Sequence, residues 1–394
     1  MENDITYFQQ LNRELQQLGR AVPYALIDLD RLDHNIDLLQ EQMTGHTNLR
    51  LVVKSLPSLP LLTYLMERLT TRRLMVFHEP FLLQLVKDVS LPLDFLLGKP
   101  MPVATVRHFY QNSAAHQHRI QWLVDTRERL EQYLQLAEEL DQKLLINLEI
   151  DVGLHRGGFR GEQKLIQAFE LIRQHPHALE WTGFMGYDPH VVKLPSMLGS
   201  PSRLVEKAKT RYRSFQGLAR NQFPDLWRDD LTFNGAGSPT FHLHQEGASP
   251  INEVAIGSAL LKPTTFQIPS LQAFLPACYL ATPVLKRFQG TSLPGIGQLP
   301  AWLGAIWPWL RESYFIYGGY WKADYCHPPD IRLNQLFGPS TNQSMLNASG
   351  SYPLRVDDYV FLQPWQSEFV LLQFGDLLAW RKGQPIANWA ILNN

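Results

Sequence analysis

Cysteine is scarce in this chain, which has only Cys278 and Cys326 among its 394 residues. Two thiols cannot form the disulfide framework of a small secreted domain, and neither has a second thiol nearby that would suggest a zinc knuckle. Such low cysteine usage fits a protein of a reducing compartment. We therefore expect a cytoplasmic protein.

The sequence also lacks an excess of one charge and any long apolar run. Its formal net charge is -1, without a block of like charges, which gives no indication of a nucleic-acid or membrane partner. No apolar stretch approaches the roughly 20 residues that cross a bilayer. Residues 1–18 are charged and amphipathic, without the apolar core of a signal peptide. We expect a soluble protein whose partner is a small molecule.

The composition is that of an ordinary globular protein, with 45% hydrophobic and 19% charged residues, and the length favours two domains. Between about residues 25 and 260, short apolar runs alternate with longer amphipathic segments such as 126–143. The runs are ALIDLD (25–30), LRLVVK (49–54), LMVFH (74–78), DFLLG (94–98), IQWLVD (120–125), LLINLEID (144–151), WTGFMGY (181–187), LTFNGAG (231–237) and EVAIGS (253–258).

Continuous apolar strands that alternate with helices indicate a parallel sheet covered on both faces. Eight such units close a (β/α)8 TIM barrel, and since nine candidates are present, we expect one strand, the first, to lie outside it. A doubly wound open sheet fits the same periodicity. However, no Gly-x-Gly-x-x-Gly opens the first βα turn, which weakens a dinucleotide-binding version of that fold.

Beyond about residue 262, proline and glycine become dense and short strand-like pieces follow one another without long helices. This texture predicts an antiparallel β domain. We therefore predict an α/β protein with a barrel domain at 24–262 and a C-terminal β domain at 263–394. Residues 1–23 contain an amphipathic helix, and either the barrel or the β domain could receive it.

A lysine ends the apolar strand LRLVVKS (49–55). The carboxyl end of a barrel strand is where barrel enzymes place their active sites. Desolvation of Lys54 would make its amine nucleophilic enough to form a Schiff base. The alternative is a lysine that only extends its amine to solvent from a strand end.

Glycine and charge mark the stretch LEIDVGLHRGGFR (148–160). Glu149 and Asp151 end a strand, and Arg156 lies beside two glycines that allow close backbone approach, an arrangement suited to an oxyanion. A glycine-rich turn with a surface arginine explains the same pattern equally well.

Three further turns carry candidate groups. Tyr187 and His190, in FMGYDPH, could stack on a flat ring or move protons, although packing is the more frequent role of such a pair. Glycine and hydroxyl groups end the last two strands, in NGAGSPT (234–240) and IGSAL (256–260), where barrels usually bind phosphate. The hydroxyl candidates there are Ser238, Thr240 and Ser258.

Taken together, these motifs resemble the alanine-racemase-like (fold type III) pyridoxal phosphate enzymes, and most closely their D-threonine aldolase and D-serine dehydratase branch. The resemblance extends from about residue 23 to 390. The matching stretches are PYALIDLDRLDHNI, LRLVVKS, LEIDVGLHRGGF, GYDPH, NGAGSPT, NEVAIGSAL and VDDYVFLQPWQSEFVLLQFGDLLAW.

The resemblance implies pyridoxal 5'-phosphate as cofactor, held by Lys54 as a Schiff base. It also implies that Arg156 lies beside the cofactor ring, and that Tyr187 and His190 flank the ring and the substrate, so that Lys54, Tyr187 and His190 are the catalytic residues. The positions that match the phosphate-binding turns are Gly237, Ser238, Gly257 and Ser258.

The chain departs from this branch where the β domain would supply a metal pair, of the type His-x-Cys or His-x-Asp, after a proline. Gln366 and Glu368 follow Pro364 at the matching positions. Glutamine binds zinc poorly, whereas glutamate suits a harder ion, so a divalent metal on this pair remains an open expectation. His327 and Asp324 are further candidates in the same domain.

The leading prediction is a lyase for small D-β-hydroxy amino acids, working by aldol cleavage or dehydration, and by analogy a homodimer. An amino-acid racemase is the alternative, with Tyr317, Tyr320 or Tyr325 as second base. A non-catalytic carrier of pyridoxal phosphate is a third reading. A metal-dependent barrel hydrolase is a fourth, whose ligands would be His190, His242 and His244.

Overall fold

The structure is a computed structural model. It separates into two compact units, of which the barrel unit comprises Ile36–Ala259, Ile268–Ala273 and Leu392–Asn394, and the β unit comprises Met1–Asn35, Leu260–Gln267 and Phe274–Ile391. These units divide the chain at other points than the predicted boundaries at 24–262 and 263–394. The residues that the structure describes are 2–43, 47–113, 117–195, 199–245 and 248–393.

The chain begins with a helix, a short strand and a second helix. These elements are α1 (Glu2–Gln17), β1 (Tyr24–Asp28) and α2 (Leu29–Gln42). Within the described residues, no helix is long and apolar enough to cross a membrane.

Eight parallel strands, counted over the described ranges, close into a barrel in chain order, so the predicted TIM barrel is confirmed. The pairing of β2 with β9, in which Leu51 lies opposite Ile256, closes the ring. The strands are β2 (Asn48–Val52), β3 (Arg73–Val76), β4 (Asp94–Leu97), β5 (Arg119–Val124), β6 (Leu144–Glu149), β7 (Leu179–Gly186), β8 (Thr232–Gly235) and β9 (Glu253–Ile256).

Helices follow the barrel strands, and side-chain caps fix where several of them begin. The hydroxyl of Thr126 accepts a hydrogen bond from the amide of Arg129 at 3.2 Å, which satisfies one of the free amides at a helix start. The helices are α3 (Leu59–Arg68), α4 (Glu79–Asp88), α5 (Val103–Asn112), α6 (Arg127–Leu140), α7 (Glu162–Gln174), α8 (His190–Lys193), α9 (Pro201–Gln222) and α10 (Ser258–Leu261).

The amino-terminal half of the barrel interior is ionic. Arg50 is completely buried and donates to Glu253 through Nε at 2.6 Å and to Asp94 through Nη2 at 3.0 Å. Burial alone would raise the pKa of Asp94, but the charge of Arg50 holds it below its ordinary value. Since each buried charge faces an opposite one, this layer is stable only as a set.

The remaining elements belong to the β unit. They are β10 (Cys278–Gln289), β11 (Ser292–Leu293), β12 (Gly297–Gln298), α11 (Leu303–Ile306), β13 (Glu312–Tyr317), β14 (Ala323–His327), β15 (Arg332–Leu333), β16 (Gln343–Ala348), β17 (Tyr359–Pro364), α12 (Ser367–Val370), β18 (Leu377–Arg381) and β19 (Gln384–Trp389).

In the part of the chain that the structure describes, nine strands form the main sheet of this unit, in the order β15-β16-β13-β10-β1-β18-β19, with β17 pairing with β10 and β14. Its pairings are antiparallel, as predicted for this domain, except that β1 runs parallel to β18. The first strand thus lies outside the barrel, because its edges pair with β10 and β18.

Helix α1 packs within the β unit. Phe8, Leu11 and Leu15 are buried in one cluster with side chains of the sheet such as Tyr279 and Phe361. The side chain of Asn12 also accepts a hydrogen bond from the amide of Tyr359 at 2.7 Å. Packing of this apolar face against the sheet explains the amphipathic pattern of the first residues.

Candidate active site

Lys54 lies in a single turn of 3-10 helix, Val53–Ser55, directly after β2. The strand ends at Val52, two residues earlier than the sequence suggested. The side chain is half-buried, and its Nζ lies 4.9 Å from the ring centroid of Phe77, which follows β3. An amine thus lies at the carboxyl end of the barrel beside an aromatic ring.

The end of β9 passes closely against this lysine turn. A Cβ at Gly257 would lie 2.9 Å from Cβ of Val52 and 3.0 Å from Cβ of Ser55, so only glycine fits. Beside it, the hydroxyls of Ser258 and Ser55 are 3.2 Å apart. The predicted Gly257–Ser258 turn is therefore adjacent to Lys54.

The turn after β8 joins the same group. Ser238 is buried, and its Oγ accepts hydrogen bonds from the amides of Ala259 at 3.0 Å and Gly257 at 3.5 Å. The loops that follow β2, β8 and β9 are thus connected through three serines.

A second group contains Arg156, Tyr187 and Gly237. The guanidinium of Arg156 lies 5.4 Å from the ring centroid of Tyr187, and a Cβ at Gly237 would come within 2.9 Å of that ring. Since Gly237 precedes Ser238, the two groups are neighbours along the chain, and the candidates predicted from four separate motifs converge at one end of the barrel.

His190 begins α8 and faces the loop after β6. Gly153 in that loop has a positive φ of 121°. A Cβ added to Gly153 would lie 2.9 Å from Nε2 of His190. Its Nδ1 is buried and has no hydrogen-bond partner among the described residues. Burial lowers the pKa of His190, an effect that Asp188 partly offsets. At neutral pH this residue is therefore a neutral imidazole with a nitrogen that a ligand could satisfy.

Glu149, the last residue of β6, is a titratable group that the sequence did not distinguish from Asp151. It shares the inward face of the strand with Asn147, whose amide donates to Gln121 inside the barrel at 3.3 Å. Burial and the charge of Asp125 raise the pKa of Glu149 to about 7, although Arg156 acts in the other direction. Glu149 therefore changes charge near neutral pH.

Asp151, in contrast, has a structural role. It is buried and accepts hydrogen bonds from the amides of Gly153 and His155, both at 3.0 Å. The ring of His155 contacts its other oxygen at 2.6 Å. These bonds close the glycine turn that carries Arg156.

The pH dependence of stability tests the environment of Glu149. Because its folded pKa of about 7 lies above the ordinary 4.5, the wild type loses stability as the pH rises from about 4.5 to 7. The full shift corresponds to roughly 3 kcal/mol, and solvent screening reduces this to about 1–2 kcal/mol. We expect Glu149→Gln to be more stable than wild type by that amount at pH 8.5, and equal to it at pH 4.

Urea unfolding at both pH values measures this difference. Glu139→Gln is the matched control, since Glu139 is exposed and its hydrogen bond to Arg107 lowers its pKa, so no gain at high pH is expected. A Glu149→Gln variant that is no more stable than wild type at pH 8.5 would contradict the raised pKa of Glu149 and the buried environment that causes it.

His190, His242 and His244, the ligands expected for a metal-dependent hydrolase and all described by the structure, do not form a group that could hold a metal ion. Nε2 of His244 lies 2.7 Å from Asp188 and its Nδ1 lies 3.1 Å from Ser249. No group of three or more His, Cys, Asp or Glu side chains within the described ranges is placed to hold a metal ion.

The residues of the predicted metal pair lie in the β unit. Gln366 precedes α12 and Glu368 is its second residue. Asp324 accepts a hydrogen bond from the indole of Trp365 at 2.8 Å. His327 stacks on Phe8 with centroids 4.9 Å apart, and burial lowers its pKa to about 4, so packing with α1 explains this residue.

The tyrosines considered as a second base also lie in the β unit. Tyr317 and Tyr320 are exposed. Burial raises the pKa of Tyr325 to about 12, so it stays protonated at neutral pH.

Known proteins share this architecture. The D-threonine aldolase of Filomicrobium marinum superposes with a TM-score of 0.71 at 16% identity, over 94% of this chain and 96% of that chain. The D-threo-3-hydroxyaspartate dehydratase of Delftia sp. HT23 gives 0.71 at 16%, over 94% and 97%. The alanine racemase of Bacillus anthracis gives 0.69 at 14%, over 94% and 98%. At these identities the similarity shows the fold alone.

In sequence, no curated protein matches the chain. A family model described as "Alanine racemase, N-terminal domain" matches residues 27–264, which is well over half of the chain and includes the whole barrel. The predicted resemblance is thereby confirmed, and the chain belongs to the alanine racemase N-terminal domain family.

Proposed function

We propose that this protein is a pyridoxal phosphate-dependent lyase that acts on small D-β-hydroxy amino acids, by aldol cleavage or dehydration. The family implies the cofactor. The observation that carries the proposal is the half-buried Lys54 at the carboxyl end of β2, next to the serine and glycine turns after β8 and β9. An aldolase and a dehydratase of this fold support the reaction class.

The residues present fit the cofactor. Lys54 would hold its aldehyde, and the turns at Ser238 and Ser258 would hold its phosphate. Arg156 and Tyr187 would lie along the ring. Gly257, where a Cβ would collide with Val52 and Ser55, lets the turn after β9 lie directly against the turn that carries the amine. When bound, the cofactor supplies an electron sink that stabilises negative charge at the substrate Cα.

Two side chains would move protons in this reaction. Nζ of Lys54 would exchange a proton with the substrate Cα. His190 is neutral at working pH, so its imidazole would accept the proton of a substrate β-hydroxyl. Glu149, with a pKa of about 7, is a third group that changes charge in the same range.

The test is to incubate the purified protein and pyridoxal phosphate with D-threonine, D-serine or D-3-hydroxyaspartate, with and without a divalent metal ion. We expect an aldehyde, or a keto acid with ammonia, from at least one D-substrate and none from the L-enantiomers. If none of the three yields either product under any condition, the protein is not this lyase.

A racemase is the second candidate, because the fold is shared equally with an alanine racemase. It would exchange the Cα hydrogen for solvent deuterium and lose optical purity, without releasing aldehyde, keto acid or ammonia. Chiral chromatography of amino acids incubated in deuterated buffer separates the two activities.

A further inference from the structure

Asp188 lies between Tyr187 and His190 in the sequence but is buried, with 1% of its surface exposed. One carboxylate oxygen accepts a hydrogen bond from the hydroxyl of Thr240 at 2.7 Å. The other lies 2.7 Å from Nε2 of His244. A carboxylate shielded from water is stable only with such partners, so both contacts are integral to the folded site.

Thr240 links Asp188 to the turn after β8 through hydrogen bonds. While its hydroxyl proton is donated to Asp188, its oxygen accepts a hydrogen bond from the amide of Gly237 at 3.2 Å. The carbonyl of Gly237 in turn accepts from the amides of Thr240 and Phe241, both at 2.9 Å. Two backbone hydrogen bonds and the hydroxyl of Thr240 therefore close the turn together, and the hydroxyl is the group that links it to Asp188.

The same turn controls where Ser238 lies. Its Oγ accepts from the amides of Gly257 and Ala259, which belong to the turn after β9. A shift of Gly237 would thus move Ser238 relative to the backbone amides of both turns. Because hydrogen bonds of a buried network depend on one another, the loss of one contact is transmitted along it.

We propose that Asp188 is a positioning residue that acts through Thr240 to fix the Gly237–Ser238 turn for binding a phosphate monoester. This inference rests on the proposed function, since the ester is the phosphate of the cofactor. Asp188 follows Tyr187, which would lie along the cofactor ring, and its carboxylate contacts Thr240 of the turn that would hold the phosphate.

Pyridoxal and pyridoxal phosphate differ only in the phosphate, and their dissociation constants test this role. The variants are Asp188→Asn and Thr240→Val, which keep the shape of each side chain, their double combination, and Thr240→Ser, which keeps the hydroxyl. Ser214→Ala is the control, because Ser214 is exposed and its hydroxyl donates to the carbonyl of Arg211 in the same helix at 2.8 Å. Thermal unfolding checks that each variant is folded.

We expect each single variant to reduce the preference for the phosphorylated ligand about tenfold, while pyridoxal binding changes little. The double variant should lose no more than either single one, and Thr240→Ser should retain the preference. Should Asp188→Asn not fold, Thr240→Val still decides the question.

The proposal would be overturned if the variants weakened the binding of pyridoxal and pyridoxal phosphate equally, or if the preference for the phosphorylated ligand were unchanged. If the double variant lost the product of the two single effects on this preference, Asp188 would not act through Thr240. If the wild-type protein binds neither ligand, the proposed function itself fails, which is a distinct result.

Discussion

Lys54→Ala is expected to reduce the rate of turnover of D-β-hydroxy amino acids by about 10²–10⁴-fold, because one positioned proton-transfer group contributes a factor of this size. The variant also loses the nucleophilic amine that would hold the cofactor. We expect its visible absorbance with pyridoxal phosphate to match that of the free cofactor. Steady-state rates and difference spectra measure both effects.

Two further variants make the result specific. Lys99 also follows a barrel strand but is exposed, so Lys99→Ala should keep wild-type rates and spectrum. Lys54→Arg retains the positive charge without a nucleophilic amine, and it should be as inactive as Lys54→Ala. A Lys54→Ala protein that retains wild-type turnover would show that the chemistry lies elsewhere.

Arg50→Ala is expected to reduce the free energy of unfolding by about 3–5 kcal/mol, because it removes the completely buried guanidinium that pairs with both Glu253 and Asp94. Glu253 is as buried as Arg50 itself, and Arg73 retains only one contact to it, at 2.8 Å. Denaturant unfolding at neutral pH measures the loss.

Arg68→Ala is the matched control for Arg50. Arg68 forms an ion pair with Asp37 at 3.2 Å, but the two side chains are 37% and 62% exposed. Exposed pairs contribute only about 0–1 kcal/mol. If both variants unfold at the same denaturant concentration, the ionic layer inside the barrel does not stabilise the fold as described.

The alternation of apolar runs and helical patterns was enough to predict the barrel and the β domain. The same pattern could not assign β1 to its sheet, because a short apolar run such as 25–30 looks alike in a barrel and in the centre of another sheet. Pairing of β1 with β10 and β18 depends on contacts with residues more than 250 positions away. Long-range pairing of this kind is invisible in local periodicity.

The proximity of Lys54, Ser238 and Gly257 at one end of the barrel could be predicted, because residue type and turn position coincide at these residues. Glu149 and Asp188 were not distinguished, because burial and partners decide their roles. Asp188 meets Thr240 and His244 more than 50 positions later in the chain. The sequence did contain a signal for the ionic layer inside the barrel. Arg50 and Glu253 interrupt otherwise apolar strands, and polar residues at such positions face partners inside a barrel.

The most direct measurement is borohydride reduction of the protein saturated with pyridoxal phosphate, followed by peptide mapping. We predict a phosphopyridoxyl group on the peptide that contains Lys54, at one per chain. Label on another lysine, or an unmodified Lys54, would contradict the account.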